Sequence, residues 1–528
     1  MNCRRKLHNV ARTVRTALGL LALTIACENA RAQEFRYTKK IVVAEPTTLD
    51  WPYAVLGTSP STIPPKVLSD SKRGGPVSYE FFGPADNDRA GRPLVIFVSP
   101  QDRPVGWDFW ADACEAHGVL FAGVRDAGNG VPEARRIRAV VETLADVRRR
   151  HSVSVEQTYL AGFSGGAHIA WRVASALPEE IGGVICIGYA PRPPDSAWQR
   201  QRMADRLSIA IIIGDREPAT AWVESLYGPL LKEHGVRTAV KVLARHGHSM
   251  PGPSQMEAAF NWLEQASNAR AADVKRNLGL NRFGGQSREE TAASFLSGAK
   301  SVFVWPESTA VGLASLAEVV QRWPDLPAAR EAQTLLAEYD QKPERPWLVE
   351  QERRRIKILQ IEAGGFDRLA RRNEMSLRAD RGLLIGNAQV RWEELARSDD
   401  PKLRGEAKEH LVELIEWAAH LPATDAKIAP VPLAKVRFEL IGDVTLAEAV
   451  ERFRKVLAQL GYALEVDEDA ATIVAAGKEQ LKLDLPAATF TEVDRRFFRR
   501  HGLKLVRSGS EVKLTPVKPN PPSNEPNE

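Results

Sequence analysis

At 528 residues, with 44% hydrophobic and 26% charged residues, the chain is too long for one core and too apolar to stay unfolded; a prior of about 100–200 residues per domain predicts three or four units. The formal charge of +5 invites a polyanion partner, but the first 32 residues hold six basic groups (Arg4, Arg5, Lys6, Arg12, Arg15, Arg31) against Glu28 alone, and the rest is balanced at 66 basic and 66 acidic. That balance excludes a global drive toward nucleic acid or anionic lipid.

Residues 1–32 read as an export signal: a basic stretch, then the apolar run Ala17 to Ala26, too short to span a bilayer, then the small-x-small site Ala30-Arg31-Ala32. Cleavage after Ala32 predicts an exported protein, periplasmic or extracellular. The rival reading is Leu23-Thr24-Ile25-Ala26-Cys27, weakly similar to a lipoprotein box, which would leave a lipid on Cys27. Cleavage after Ala32 leaves Cys114 and Cys186, open to pairing in an oxidising compartment; the apolar run around Cys186 favours two buried thiols.

Residues 33–268 predict an α/β domain, a mostly parallel sheet covered by helices. Strands are expected at Leu94 to Val98, Val119 to Val124, Thr158 to Gly162, Val184 to Ile187, Ile209 to Ile213 and Val240 to Ala244, preceded by antiparallel strands such as Val77 to Phe82. Ile137, Val140, Val141, Leu144 and Val147 mark one helical face, and Ile169, Val173 and Leu177 another. Residues 269–428 predict a helical region. Within it Trp323-Pro324-Asp325-Leu326-Pro327 with Glu331-Ala332 has an echo at Asp400-Pro401 with Glu406-Ala407, either fragments of tetratricopeptide-like hairpins or an irregular spacer.

Residues 429–517 predict a small α+β module built from a duplicated βαβ pattern. Thr445-Leu446-Ala447-Glu448 and Thr489-Phe490-Thr491-Glu492 are two capping-box starts, and each helix stops at a glycine, Gly461 or Gly502, before strand-like alternation. The turn Ser508-Gly509-Ser510 then leads into a last strand. Residues 518–528, rich in Pro and Asn, predict a disordered tail.

The chemistry concentrates in three places. Gly162-Phe163-Ser164-Gly165-Gly166 follows a strand and precedes a helix, the context in which a tightly turned serine becomes a nucleophile. The helix start offers the Gly165 N–H to an oxyanion, and the loop after the first parallel strand offers Gln101 as a second donor, since Pro100 has none. A base follows the last strand in Arg245-His246-Gly247-His248, with His248 preferred and His246 second; His168 and His234 read as ordinary solvated side chains. An acid follows Ile209 to Ile213 in Gly214-Asp215-Arg216-Glu217, where Glu217 and Asp215 compete: Asp215 lies nearer the strand.

These motifs resemble those of α/β-hydrolases of the esterase and poly-hydroxybutyrate depolymerase-like group, over about Thr47 to Trp262. The resemblance favours Glu217, three residues past the strand-ending glycine, as the acid. It implies ester hydrolysis through an acyl-serine, with no metal and no organic cofactor. The substrate is a small-molecule or polymeric ester; only about twenty residues separate Ile187 from Ile209, too few for a helical cap, and an open cleft suits bulky esters, with Tyr189 and Trp198 at hand to line it. The C-terminal pattern resembles the short N-terminal domain of secretins and TonB-dependent receptors, which implies a cell-envelope protein partner. A serine peptidase on the same triad, or an inactive envelope binding protein, are the competing readings.

Overall fold

The computed structural model describes residues 35–517 apart from 48, 85–90, 105–106, 195, 277–286, 304–308, 373–374, 379, 422–437, 460–462, 489 and 509–510. The export segment with Cys27, the tail 518–528, Thr489, Gly461 and the Gly509-Ser510 turn lie outside the described residues. The chain forms two compact units. The first runs to Val223 and resumes over Leu231–Val349; the second holds Glu224–Leu230 and continues from Glu350.

The first unit is built on eight strands: β1 (Phe35–Val42), β2 (Ser78–Pro84), β3 (Arg92–Val98), β4 (Leu120–Val124), β5 (Val153–Phe163), β6 (Gly183–Ile187), β7 (Ser208–Gly214) and β8 (Arg237–Leu243). Their order is β1-β2-β4-β3-β5-β6-β7-β8. β2 runs antiparallel to β1 and β4, and every later pair is parallel. This is the mostly parallel, helix-covered sheet that the alternation of apolar runs predicts. β6 and β7 are buried along their whole length, which is why they read as unbroken apolar runs rather than alternating ones. β1 is mostly exposed, so no apolar run announces it.

Helices cover both faces: α1 (Trp51–Leu56), α2 (Pro65–Lys72), α3 (Trp107–His117), α4 (Glu133–Arg150), α5 (Gly165–Ala176), α6 (Ala197–Arg206), α7 (Pro218–Trp222), α8 (Gly228–Glu233) and α9 (Pro253–Arg276). The predicted stripe of Ile137, Val140, Leu144 and Val147 on α4 packs with Ile169 and Val173 of α5 on one face. Trp110, Phe121, Tyr159 and Phe260 fill the other. Cys114 on α3 and Cys186 on β6 are separate buried thiols, and burial pushes both well above the ordinary thiol range.

The boundary expected at residue 268 is corrected. It falls within α9, and the first unit also contains α10 (Arg288–Phe303), α11 (Thr309–Arg322) and α12 (Pro327–Asp340). A buried guanidinium ties these helices to the loops around the sheet. Arg322, 2% exposed, donates to Asp50 Oδ2 at 3.1 Å, to Glu179 Oε1 at 3.0 Å and to Glu318 Oε1 at 3.4 Å. It also lies over the Tyr53 and Trp323 rings, 4.3 and 4.6 Å from their centroids. Arg202 of α6 approaches the second Glu318 oxygen at 3.4 Å, so cations and carboxylates alternate within one buried cluster.

In the second unit, α13 (Pro346–Arg371), α14 (Met375–Arg378), α15 (Arg381–Leu395) and α16 (Pro401–Ala419) include a core of Ala363, Ala388, Trp392, Leu403, Ala407 and Leu414. Both members of the predicted echo fall at turns into a helix opened by proline, Pro327 on α12 and Pro401 on α16. The α+β module follows as β9 (Phe438–Val444), α17 (Leu446–Gln459), β10 (Ala463–Val466), α18 (Glu468–Ala476), β11 (Leu481–Ala488), α19 (Phe490–Arg496), β12 (Leu503–Ser508) and β13 (Glu511–Pro516). The Thr445 capping box forms: its N–H donates to Glu448 Oε2 at 2.8 Å and its hydroxyl accepts from Glu448 N at 3.3 Å. β9 pairs with β11, and β10 and β12 flank β13, over a core that includes Val450, Phe453, Val493, Phe497 and Leu514. α18, capped by Asp467, is an addition that the duplicated pattern does not predict.

Two predictions follow from the Arg322 cluster. Arg322→Met strands buried carboxylates and is expected to destabilise the first unit by about 3–5 kcal/mol in denaturant unfolding; a loss under about 1 kcal/mol overturns the buried pairing. Burial, assisted by Glu179, pushes Glu318 up from the ordinary 4.5 to about 7. The folded chain then holds a proton between those values that the unfolded chain has released, so this group withdraws stability as pH rises through that window. Measured across it, Glu318→Gln gains stability relative to wild type with rising pH; a constant difference contradicts the assignment.

Candidate active site

β5 ends at Phe163 and α5 starts at Gly165, so the reversal from strand to helix takes place at Ser164, whose backbone sits at φ 54°, ψ −123°. A side chain rarely adopts a positive φ, and this one is held there by its surroundings. Ser164 N donates to Ile187 O on β6 at 2.8 Å, and its own carbonyl accepts from His168 N at 3.2 Å. The flanking glycines are required by close approach: a Cβ on Gly166 would lie 2.0 Å from Val98 O, and one on Gly162 would lie 2.4 Å from the Gly166 carbonyl carbon.

The loop after β8 brings His248 to this serine. Its Nε2 lies 2.9 Å from Ser164 Oγ, and its Nδ1 lies 2.6 Å from Glu217 Oε2. Glu217 precedes α7, and its side chain is 2% exposed whereas that of His248 is 50% exposed. The other Glu217 oxygen accepts the Gly214 N–H at 2.9 Å. With a buried carboxylate at Nδ1, that nitrogen carries the proton and Nε2 accepts from the serine hydroxyl. The imidazole also packs on Phe163, with ring centroids 4.8 Å apart. Gly188, at φ 58°, passes beside both groups: a Cβ there would lie 3.0 Å from His248 Cε1 and 3.1 Å from Glu217 Oε2.

The competing acid is elsewhere. Asp215 accepts from Arg245 N at 2.8 Å and His246 N at 3.1 Å, which holds its carboxyl below the ordinary range. It shapes the loop that carries His248 and does not touch the ring, so Asp215 is corrected from candidate acid to loop anchor. His246 turns to Ser249, 3.2 Å from its carbonyl and 3.1 Å from its hydroxyl. His168, with a side chain 42% exposed, also contacts the Tyr189 hydroxyl at 3.1 Å and Glu133 at 3.4 Å. His234 is half-buried and engaged as well. Trp198 is packing rather than cleft lining, buried against Tyr53 and bonded to Gln321.

Of the two expected oxyanion donors, Gly165 stands at the first position of α5, where the backbone N–H groups of a helix start are free of helical partners. Gln101 N is engaged with Ser99 Oγ at 3.1 Å, which corrects its reading as an open donor. Asn129 was missed in the sequence. Its N–H donates to Pro100 O at 2.8 Å, and a Cβ on Gly165 would lie 2.1 Å from its Oδ1, so its amide flanks the residue after the serine. The turn Gly128-Asn129-Gly130 after β4 was the available signal. Among the described residues no set of three or more His, Cys, Asp or Glu gathers as metal ligands.

No family model matches the chain. It is similar to an epoxide hydrolase, srdG, of Neurospora crassa, 27% identical over an alignment 107 residues long that covers 17% of this chain and 31% of that protein, so the chain spans under a third of that relative. Among solved structures it is similar to a thermostable esterase (18% identity, TM-score 0.31, 37% of this chain and 60% of that one). Others are Est1E of Butyrivibrio proteoclasticus (12%, 0.29, 38% and 96%) and an S-formylglutathione hydrolase of Agrobacterium tumefaciens (14%, 0.28, 37% and 90%).

The backbone at Ser164 yields a stability prediction separate from chemistry. Ser164→Gly relieves the positive φ and Ser164→Ala does not, so the glycine chain is expected to be the more stable of the two by about 1 kcal/mol or more. Equal or reversed melting temperatures contradict a strained turn.

Proposed function

We propose that this chain is an exported serine hydrolase that cleaves a carboxylic ester through an acyl-serine intermediate. The observation that carries the reading is His248, which touches Ser164 with one ring nitrogen and Glu217 with the other. In the reaction, Ser164 Oγ attacks the ester carbonyl while its proton passes to His248 Nε2. The buried Glu217 carboxylate stabilises the imidazolium so formed. The Gly165 N–H receives the oxyanion, His248 returns the proton to the leaving alcohol, and water repeats the sequence to release the acid.

Access supports a bulky or polymeric ester. Among the described residues a single helix, α6, connects β6 to β7, and half of the His248 surface faces solvent. Export rests on residues 1–32, with their basic start and Ala30-Arg31-Ala32. A cell-envelope partner for the C-terminal module rests on its two β-α-β passes and on its likeness in pattern to secretin-type domains.

Fluorophosphonate labelling tests the nucleophile. The label is expected on Ser164, and Ser164→Ala is expected to lower turnover of 4-nitrophenyl acetate by about 10⁶. Glu217→Gln is expected to lower kcat by about 10⁴, and Asp215→Asn by far less. Full turnover by the Ser164→Ala chain removes the reading; a reversed ranking of the two acids removes the role of Glu217.

A further inference from the structure

A cavity of about 370 Å³ lies between α1, α5 and the segment after β6. Its walls include Tyr53, Trp171, Tyr189 and Pro193, and Arg172, Arg192 and Gln199 are among its polar residues. Two links relate its His168–Tyr189 end to the residues around Ser164. Tyr189 follows Gly188, the residue that passes His248 and Glu217, and its hydroxyl meets His168, one helical turn beyond Ser164. The Tyr189–His168 pair therefore forms the inner wall, and the cavity extends away from Ser164 along α5.

Size and lining restrict the occupant. Ligand pockets run from roughly 300 to 1,000 Å³, so this one admits a single ring-sized group and leaves the rest of a large substrate outside. Trp171 is held by its Nε1–H to Arg192 O at 3.0 Å, and with Tyr53, Tyr189 and Pro193 it gives flat apolar walls. No acidic residue occurs among the described residues of the lining. Arg172 is fixed from behind: its Nη2 donates to Ala54 O at 3.0 Å and Val55 O at 3.3 Å, and its Nε lies 3.4 Å from Glu133. Glu133 is shared with His168 and stands outside the lining, so it orients the guanidinium without occupying the cavity. A fixed guanidinium at an apolar slot is a receptor for a carboxylate on a flat group.

We propose that this cavity is the subsite for the non-reacting part of the ester, and that it takes a ring-bearing group ending in a carboxylate. The proposal rests on Ser164 being the nucleophile only for its catalytic consequence; the site itself is read by binding. Calorimetry with the full-length Ser164→Ala protein measures monomethyl terephthalate against neutral methyl 4-methylbenzoate. The acid is expected to bind about tenfold more tightly, and Arg172→Gln to remove that advantage. Gln199→Glu places a carboxylate in the same cavity from α6 and is expected to remove it too, which covers the case in which the Arg172 variant does not fold. Equal binding of acid and neutral ester, or a preference that survives both substitutions in folded protein, overturns the proposal.

Turnover by wild-type protein then reports the side of the scissile bond. A preference for monomethyl terephthalate over methyl 4-methylbenzoate assigns the cavity to the acyl group, and one for 4-carboxybenzyl acetate over 4-methylbenzyl acetate assigns it to the alcohol. Selective binding without turnover of any ester, 4-nitrophenyl acetate included, overturns the hydrolase reading and leaves the binding site standing. Turnover with no selectivity in either pair overturns the subsite.

Discussion

The whole site hangs on one backbone reversal. β5 is flanked by β3 and β6, so the chain leaving it at Ser164 has no room to curve gently into α5. It turns within one residue, at positive φ, with the α5 backbone pressed against Val98 O. Any side chain at Gly162 or Gly166 would push α5 off the sheet and carry the serine with it. The hydrogen bond from Ser164 N to Ile187 O fixes the turn against β6 and delivers Gly188 and Tyr189 to its side. The strain of the turn, of order 1–3 kcal/mol for such a residue, is sustained by a sheet whose strands β6 and β7 are buried along their whole length.

The second unit solves a different problem, how two short repeats make one core. Neither β-α-β pass closes a sheet alone. β9 of the first pairs with β11 of the second, and β10 of the first lies against β13. Each repeat thus lends strands to sheets that the other completes, and Phe453 of the first meets Phe498 of the second at 5.3 Å between ring centroids. The amphipathic stripes are repeated because each must face the same shared interior.

Much of this was legible in the sequence, for reasons tied to local physics. Strands buried on both faces read as apolar runs, and the Gly-x-Ser-x-Gly turn identified itself because close packing admits only glycine at its flanks. His248 was readable from its place after the last parallel strand. What escaped depends on contacts between distant residues. Glu217 and Asp215 stand two apart in one turn, and the choice is made by Gly214 N and the His248 ring rather than by residue type. The break expected at residue 268 failed because Arg322 is just the last residue of a largely apolar helix until its partners, Asp50 and Glu179, are seen around it. Gln101 looked open because the Ser99 hydroxyl that engages its N–H is invisible in a spacing argument.

The Arg322 contacts also order the chain in time. Arg322 and Asp50 are 272 residues apart, and at a synthesis rate of about 5–20 residues per second the partner appears roughly 14–54 s after Asp50 has been made. Until then Glu179 and Tyr53 lack the cation that they pack against. The sheet and the loops that carry Ser164, Glu217 and His248 are complete in sequence by residue 250, yet their final packing waits on a helix from far downstream. A topology of this kind is slow to close, because a long loop's entropy is lost before the contact that repays it forms. A nascent chain ending before Arg322 presents that carboxylate-lined gap to its surroundings, closed only when the last helices arrive.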